Sequence, residues 1–548
     1  IRENIDNHRD ISSLIDPVVQ EYIYHKGMYL REPEFKPILR AKAIAFENAA
    51  GRDREVLDEL GNTVLYGHPD AQAILTKIQV ENDRLLILRN TVEGERPAGF
   101  VSYREIGNED LFGVLKDMEL ANLVRGKSSR EILLITGIYA REDGTGDSGV
   151  IRDAPQQLLV EVLAKELEKN YSFALFVAER GTATKEVVYV LERQGFIRPH
   201  MADENDKRTI YMVDMHEPLM FLHNLDTTIK EPFASNPAVL DAVEKNHKKL
   251  QIAMTKLYPG NLVLSLSSGI MYHRLVDRIT ALNDVPREPL VPRRLGKNMC
   301  VPFGKILRGK VVPNTVTKTL HTDKVYEPDL NSFTIEPFPY YSPLKSQIET
   351  IKSFDRPVIL VDDLVHTANR LQVLVPQFRE DGIPIKKVVV GVLSGYGRDL
   401  MQCLKVPVES IYSMPNLRQW FVESTLYPFI GGDTVRREEM KVAGLQPSIN
   451  MILPYATPRL SGCSREALVE FSACCIENSR DLFQVLEAEY RKMYAKNLTL
   501  SRLSEAVILP LCPDKGSCME YDENLAASVY LENDLETLWR MKEFMIKG

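Results

Sequence analysis

The sequence predicts a multidomain α/β protein, and three observations lead to that prediction. The chain has 548 residues, more than one hydrophobic core usually serves, so about three or four domains are expected. Segments typical of strands and helices alternate from residue 84 onward, the pattern of sheets covered by helices. Two strand-like runs, PVILVDD and KKVVVGVLSG, are almost continuously apolar, as parallel strands buried on both faces are.

Composition excludes several classes of function. The chain carries 68 Lys and Arg against 76 Asp and Glu, a net charge of −8, which disfavours a dedicated binder of nucleic acid or anionic membrane. No run approaches the roughly 18 apolar residues that a bilayer span needs. The seven cysteines show no CxxC pair and no zinc-type spacing, so reduced thiols and a cytoplasmic location are expected.

The first segment, residues 1–78, is expected to contain helices and connectors. Asp16-Pro17 places a proline at a helix start, and Gly27 is a plausible cap at its end. With the opening Ile1-Arg2, this stretch resembles the C-terminal tail of nicotinate-nucleotide adenylyltransferases and related cytidylyltransferase-like enzymes. The resemblance implies a nucleotidyltransferase domain upstream of residue 1. The alternative is a generic amphipathic helix. The matching positions are Leu14, Ile15, Asp16, Pro17, Val18, Val19, Tyr22, Ile23, Met28 and Tyr29.

A second domain is predicted over residues 79–225. The strand ILLITGIYA, a Gly-rich turn, a helix, the strand FALFV and a helix ending in Gly195-Phe196 follow one another. This order resembles the GCN5-related N-acetyltransferases. The resemblance implies that Gly144, Gly146 and Gly149 offer backbone N–H groups to the pyrophosphate of acetyl-CoA. The position of the family's proton-donating tyrosine is Leu191, with Tyr189 two residues away, so a fold without acetylation is the alternative.

The third predicted domain, residues 226–430, contains the sharpest feature, VILVDDLVHTANR. A buried strand delivers Asp362 and Asp363 to the carboxyl edge of a sheet, where α/β folds bind ligands. The loop and helix that follow supply N–H groups suited to an anion. Carboxylates beside an anion site suit a sugar phosphate, whereas the alternative is a strand that ends in two solvated acids.

This segment resembles the phosphoribosyl-pyrophosphate (PRPP) motif of type I phosphoribosyltransferases, and its continuation is most similar to ribose-phosphate pyrophosphokinase. The resemblance implies that Asp362 and Asp363 bind the ribose hydroxyls or a metal, with Mg²⁺ bridging pyrophosphate and ribose oxygens. It further implies a 5′-phosphate cradle, a pyrophosphate loop and a mobile basic loop. The 5′-phosphate cradle would contain Thr367, Ala368, Asn369 and Arg370. The pyrophosphate loop would contain Ser267, Ser268 and Gly269. The mobile basic loop would contain Lys305, Arg308, Lys310 and Lys318.

Two departures from that family bear on activity. Ala368, Asn369 and Arg370 stand where the phosphate loop usually has glycine and a final Ser or Thr, and Arg370 would bind the phosphate with two N–H groups instead. His366 occupies the position of a carboxylate base in purine-salvage members. It is expected to serve as a base, a phosphate ligand or a loop residue.

The last segment, residues 431–548, is predicted to be mostly helical. The leading hypothesis is a multidomain transferase of nucleotide or cofactor metabolism that uses PRPP and Mg²⁺. An acyltransferase using acetyl-CoA, with a regulatory phosphoribosyl site, is the first alternative, and a non-catalytic nucleotide-sensing scaffold is the second. The expected partners are small phosphoribosyl or nucleotide substrates and neither nucleic acid nor membrane, with self-association left open.

Overall fold

The computed structural model describes residues 15–16, 18–19, 44–90, 95–128, 131–141, 153–179, 184–199, 208–290, 294–304, 306–307, 310–338, 341–437, 442, 444–515 and 520–547. Within these ranges the protein is an α/β protein with parallel and antiparallel strands, as the sequence predicts. No helix in the described ranges combines the length and apolar composition needed to cross a membrane.

Strands and helices are numbered here in chain order. The strands are β1 (Ile44–Ala50), β2 (Arg84–Asn90), β3 (Arg96–Ile106), β4 (Ile132–Ala140), β5 (Phe173–Glu179), β6 (Arg208–His223), β7 (Asn261–Ser267), β8 (Met299–Pro302), β9 (Val316–Thr317), β10 (Thr322–Tyr326), β11 (Phe333–Pro337), β12 (Val358–Val365), β13 (Ile385–Ser394), β14 (Val408–Met414), β15 (Gln419–Val422), β16 (Asp433–Val435), β17 (Gln446–Ile449) and β18 (Leu511–Pro513). The α-helices are α1 (Arg54–Asn62), α2 (Ala71–Glu81), α3 (Leu111–Leu115), α4 (Met118–Lys127), α5 (Ala154–Glu166), α6 (Lys185–Arg193), α7 (Pro237–Thr255), α8 (Ser268–Leu282), α9 (Leu344–Lys352), α10 (Asn369–Glu380), α11 (Gly395–Cys403), α12 (Glu423–Leu426), α13 (Arg465–Tyr494) and α14 (Ala527–Lys547).

Short polar side chains fix where several of these helices begin. Asp117 accepts a hydrogen bond from Leu120 N, and Asn236 accepts one from Ala238 N, so each satisfies a backbone donor that has no partner inside its helix. Ser464 does the same for α13, where it accepts from Ala467 N. These caps explain why α4, α7 and α13 start where they do.

The described chain forms two compact units. The mixed-sheet unit comprises Lys42–Leu266, Asn416–Gly432 and Met440–Gly548, and the parallel-sheet unit comprises Ser267–Pro415 and Asp433–Glu439. The expected limits at residues 78, 225 and 430 therefore differ from the structure. Strand β1 of the expected linker pairs antiparallel with β2, and α7, β7 and the C-terminal helices also belong to the mixed-sheet unit. The apolar pattern locates strands, but it does not identify the sheet that each strand joins.

The sheet of the mixed-sheet unit has the order β1-β2-β3-β4-β5-β6-β15, with β7 also paired to β6. Strands β1 to β4 are antiparallel, β5 runs parallel to β4, and β6 is antiparallel to β5. The helices α1 and α2 contribute to an apolar core with β2 and β3, in which Leu60, Leu85, Ile87 and Phe100 are fully buried. Helix α5 is buried over most of its surface.

The parallel-sheet unit is built on the strand order β14-β13-β12-β8-β9, in which every pairing is parallel. Strand β12 lies in the middle, between β13 and β8, and each of its residues is buried. Helices α10 and α11 follow β12 and β13 and contribute Leu371, Leu374, Phe378 and Met401 to the core. This unit therefore has the parallel sheet and central acidic strand that the sequence predicts.

Candidate functional site

The Asp362–Asp363 pair lies within β12 at the centre of the parallel sheet, and both side chains are buried. Asp363 N donates to Asp362 Oδ1 at 2.9 Å, and Leu364 N donates to Asp363 Oδ1 at 3.0 Å. Burial, followed by the nearby Asp363 carboxyl group, raises the pKa of Asp362 well above the ordinary aspartate value. The pair therefore holds a proton where exposed aspartates are ionised.

Asp362 and Asp363 are oxygen donors of the type that Mg²⁺ prefers, and an ion bound there would displace the proton held by Asp362. Mg²⁺ is usually held by one or two carboxylates together with waters and substrate phosphates, so these two residues would supply part of its octahedral set. Among the described residues, the group of three side chains arranged to hold a metal ion lies in the mixed-sheet unit and contains neither aspartate. A protonated Asp362 carboxyl group can also donate and accept hydrogen bonds with hydroxyl groups.

The expected phosphate cradle connects β12 to α10. Ala368 has φ +50°, in the left-handed region that favours glycine, and it directly precedes the first helical residue, Asn369. Asn369 Nδ2 donates to Thr367 Oγ1 at 2.8 Å. Arg370 Nη1 lies 3.9 Å from Asp362 Oδ2, and its buried Nε has no hydrogen-bond partner within the described structure. The cradle residues are thus brought together, with one unpartnered cationic donor.

His366 is hydrogen-bonded to the end of the neighbouring strand β13. Its Nδ1 forms a 2.8 Å hydrogen bond with Ser394 Oγ, which also accepts from Gly397 N at the start of α11. Burial lowers the pKa of His366, so the ring is mostly neutral near neutral pH. A neutral imidazole suits a base or a neutral hydrogen-bonding group better than a cationic phosphate ligand.

Other predicted residues are placed differently. Ser267 ends β7, which pairs with β6 in the mixed sheet, and Ser268 immediately begins α8, with Gly269 inside it. The expected pyrophosphate loop is therefore a strand joined directly to a helix, because the run LVLSLS suits any sheet covered on both faces. Lys310 Nζ lies 4.3 Å from the ring centre of Tyr272. Lys318 N donates to Cys300 O, whereas Lys305, Arg308, Gly144, Gly146 and Gly149 lie outside the described residues.

Few positions of the expected nucleotidyltransferase tail are described. Val18 N donates to Asp16 Oδ1 at 2.9 Å, as expected for a helix beginning near Pro17. The remaining positions of that tail, apart from Ile15 and Val19, lie outside the described residues. The relation to adenylyltransferases therefore stays a prediction.

A second site is formed where β4 and β5 diverge. Their parallel pairing covers Leu133–Ala174, Leu134–Leu175 and Ile135–Phe176, after which both strands continue without pairing to each other. On its other side, β4 has a bulge opposite Ser102 and Tyr103, which leaves Thr136 out of register with β3. A cavity of about 1200 Å³ opens here, lined by β4, β5, α2 and the beginning of α6. We call it the β4–β5 cavity.

A buried carboxylate network forms part of the wall of the β4–β5 cavity. Asp83 has a fully buried side chain whose Oδ1 accepts from Arg104 Nη1 at 2.8 Å. Its Oδ2 accepts from Thr136 Oγ1 at 2.6 Å, and Ser102 Oγ lies 2.8 Å from the same hydroxyl. Both carboxylate oxygens are therefore occupied, and the bulged residue of β4 is held in a fixed orientation.

Tyr139 also lines the β4–β5 cavity. Burial, with the negative charges of Asp83 and Asp70 next, raises the pKa of Tyr139 to about 12. By contrast, Leu191 is fully buried, and Tyr189 is 42% exposed on α6, where Arg193 lies 4.8 Å from its ring centre. Among the described residues, the tyrosines that line the cavity are Tyr66, which is largely exposed, and Tyr139.

The sequence did not identify the residues of the β4–β5 cavity or the glycine beside the acidic pair. Asp83, Thr136 and Tyr139 come from separate elements, and no local motif connects them. Gly304 packs so closely on Asp362 that a side chain there would overlap the carboxyl group. The sequence PFG before the basic segment was the available signal, because an isolated glycine after a strand often marks a close approach.

No protein-family model and no curated protein matches the sequence. Solved structures similar to about a third of the chain include acetyltransferases. A putative acetyltransferase of the GNAT family from Desulfovibrio desulfuricans is 12% identical, with 32% of this chain and 99% of that chain covered and a TM-score of 0.23. For the NatC complex bound to Gag peptide and CoA, the sequence identity is 11% and the TM-score is 0.21. This match covers 31% of this chain and 98% of that chain. For the catalytic domain of Tetrahymena GCN5 histone acetyltransferase in complex with coenzyme A, the sequence identity is 10% and the TM-score is 0.21. This match covers 32% of this chain and 93% of that chain.

Proposed function

We propose that the mixed-sheet unit is an acyltransferase that binds an acyl-coenzyme A thioester in the β4–β5 cavity and transfers the acyl group to an amine. The observation that carries this proposal is the end of the β4–β5 ladder at Ile135–Phe176, directly beside the cavity. Beyond that point each strand has a free edge toward the other. The order of strands and helices predicted from the sequence for an acetyltransferase-like domain agrees with this arrangement.

The free strand edges suit the shape and chemistry of coenzyme A. An unpaired edge presents N–H and C=O groups at regular spacing, so it can pair with the amide groups of an extended ligand. The pantetheine arm of coenzyme A is such a ligand, with two amides ahead of the thioester. A cavity of about 1200 Å³ is larger than a drug-sized molecule needs, which leaves room for a second substrate.

The reaction requires a nucleophile, a proton donor and a path for the leaving thiolate. The amine nitrogen attacks the thioester carbonyl carbon, the C–S bond breaks, the amine loses a proton to solvent, and the thiolate takes one up. Tyr139 lines the cavity, and its pKa of about 12 keeps its hydroxyl protonated, so we assign it as the donor of a proton to the sulfur. Asp70 and Glu186 on the same wall would attract a cationic amine, which must first lose one proton to solvent so that its neutral nitrogen can attack.

Release of free thiol from acetyl-CoA, measured with a panel of lysine peptides, polyamines and small amines, tests this proposal. We expect Tyr139→Phe to lower kcat by about 100-fold with little change in acetyl-CoA affinity, since proton transfer contributes on that scale. Tyr189→Phe, on the outer face of α6, is the matched control and should leave kcat unchanged. Binding of acetyl-CoA without thiol release from any amine would contradict acyl transfer and favour the ligand-sensing alternative.

A second ligand site, for a phosphoribosyl group, is proposed in the parallel-sheet unit. The observation that favours it is the buried, unpartnered Nε of Arg370, next to the first turn of α10 and 3.9 Å by its Nη1 from Asp362. A phosphate at the helix start would satisfy that donor, while Asp362 and Asp363 would bind ribose hydroxyls. The protein would then belong to nucleotide or cofactor metabolism, with PRPP as a substrate or a regulator.

Calorimetric titration of the full chain with PRPP, with and without Mg²⁺, tests the second site. Binding should disappear in the double variant Asp362→Asn and Asp363→Asn, while circular dichroism shows that the fold is retained. Unchanged affinity in the double variant would remove this site from consideration. A requirement for Mg²⁺ would support a metal ion shared between the pyrophosphate and the two carboxyl groups.

A further inference from the structure

Three side chains of the mixed-sheet unit converge far from one another in sequence. His223 is the last residue of β6, His247 lies on α7, and Glu423 is the first residue of α12. The two imidazole rings have centres 4.1 Å apart, and one nitrogen of each histidine and one oxygen of the glutamate lie within 4.8 Å of one another. None of the three lines the β4–β5 cavity.

Two atoms of this cluster are buried without a hydrogen-bond partner in the described structure, His223 Nδ1 and Glu423 Oε2. They lie 3.6 Å apart and face each other. Glu423 Oε2 also lies 2.6 Å from His247 Nδ1, but the direction of that contact does not suit a hydrogen bond. His247 Nδ1 forms its hydrogen bond with the other carboxylate oxygen, Glu423 Oε1, at 2.7 Å. Because an unpartnered buried polar atom is costly, two that share one space indicate a missing common partner.

Surrounding residues orient the cluster as they do around metal ligands. His223 Nε2 is hydrogen-bonded to Ser265 Oγ and lies 3.1 Å from Gln251 Nε2. Metal binding through Nδ1 requires the tautomer in which Nε2–H donates to Ser265 Oγ. Tyr427 OH donates to Glu423 Oε1 at 3.0 Å and accepts from Asn478 Nδ2 at 2.9 Å. Each of these hydrogen bonds holds a candidate ligand by an atom other than the one that would bind the metal. Histidine and carboxylate ligands of metal sites are oriented in the same way.

We propose that His223, His247 and Glu423 bind a divalent transition-metal ion of the zinc type. Two imidazole nitrogens and a carboxylate oxygen are a ligand set that Zn²⁺ accepts, with a fourth position open to water. Zinc–ligand bonds of about 2.0–2.1 Å place tetrahedral ligands about 3.3 Å apart. The 3.6 Å separation of His223 Nδ1 and Glu423 Oε2 is near that value, and the shorter contacts of His247 need only a small side-chain shift.

Such an ion would join segments that are distant in the chain. Residues 416–432 return to the mixed-sheet unit after the whole of Ser267–Pro415. β15 pairs with the end of β6, but only from Gln419 to Val422. A metal held by Glu423, His223 and His247 would fasten this short segment to β6 and α7 at the next residue. The alternative without a metal is an ion pair of Glu423 with His247, in which His223 Nδ1 faces the same carboxylate at 3.6 Å.

The test uses the full chain, purified without a metal-affinity tag and stripped with a chelator. Titration with Zn²⁺ against a chromophoric chelator should show one tight equivalent, and Zn²⁺ should raise the Tm. Co²⁺ should give the visible absorption of a four-coordinate site, without the bands of thiolate ligation, because no cysteine belongs to the cluster. Mg²⁺ should not compete, since it prefers an all-oxygen octahedral set.

His247→Asn is the informative variant, because its amide nitrogen takes the place of Nδ1 and can still donate a hydrogen bond to Glu423. We expect it to lower the Zn²⁺ affinity at least about 100-fold and to abolish both the Co²⁺ absorption and the rise in Tm. His216→Ala, on the same strand but outside the cluster, is the matched control and should bind normally. No stoichiometric Zn²⁺ binding by the wild-type chain, or equal binding by His247→Asn, would overturn the proposal.

Discussion

The Gly304 backbone packs directly on the Asp362 carboxyl group, leaving no space for a side chain at residue 304. Gly304→Ala should therefore destabilise the parallel-sheet unit by about 2–4 kcal/mol, because Asp362 or the strand must move. Urea unfolding measures this change. Gly126→Ala is the control, since a Cβ on that exposed helical glycine meets nothing within 4 Å and should stabilise slightly. Equal stability of both variants would show that Asp362 is not confined as described.

Asp362→Asn should raise the free energy of unfolding at neutral pH by about 1–2 kcal/mol. The folded state keeps a proton on the Asp362–Asp363 pair at pH values where the unfolded chain has released it. The contribution of Asp362 to the free energy of unfolding is therefore complete below the ordinary aspartate pKa of about 4, and it is lost as the pH rises through the raised pKa of the folded state. Asparagine removes this dependence.

Urea unfolding followed by circular dichroism at acidic, neutral and alkaline pH measures the slope for Asp362→Asn. Asp399→Asn, which changes an exposed carboxylate on α11 of the same unit, should keep the wild-type slope. An Asp362→Asn variant that is less stable than wild type at every pH would contradict the raised pKa.

Ala368→Gly should be neutral or stabilising by about 0.5–1 kcal/mol, although glycine normally destabilises folded proteins. Ala368 has φ +50°, where a Cβ causes strain that glycine avoids. Ala164→Gly, inside α5, should instead lose about 1 kcal/mol. Thermal unfolding compares the two variants. A destabilised Ala368→Gly would mean that the loop does not need the left-handed conformation.

Thr136→Val should destabilise the mixed-sheet unit by about 1–3 kcal/mol, because it removes a hydrogen bond to the fully buried Asp83 carboxylate. The shape of the side chain is nearly unchanged, so packing contributes little. Thr76→Val, on the exposed face of α2, removes only a hydroxyl bonded to its own helix and should change stability by less than about 0.5 kcal/mol. Equal effects of the two substitutions in urea unfolding would argue against the Asp83 network.

The sequence predicted the parts of the structure that depend on local pattern. Strand β12, its acidic pair and the loop to α10 follow from an apolar run of eight buried residues and a following helix. The acetyltransferase-like order of strands was predicted for the same reason. The membership of β7 could not be predicted, because its apolar residues suit either sheet.

The sites that involve distant residues were not predictable from sequence. Asp83 and Thr136 are separated by 53 positions, and His247 and Glu423 by 176, so no motif of fixed spacing links them. Their proximity depends on pairings such as β15 with β6, which only the folded chain establishes. The pKa of Tyr139 likewise depends on burial and on Asp70 and Asp83, none of which its own strand sequence specifies.

Calorimetric titration of the full chain with acetyl-CoA tests the central claim most directly. The β4–β5 cavity predicts one bound equivalent, and Ala178→Phe, which places a ring on the cavity wall, should lower the affinity at least about tenfold. A phenylalanine at Ala73, on the α2 side of the same cavity, should weaken acetyl-CoA binding less, because it lies away from the β4–β5 edge. Absence of binding to the folded wild-type chain, or equal binding by Ala178→Phe, would contradict an acyl-coenzyme A site between β4 and β5.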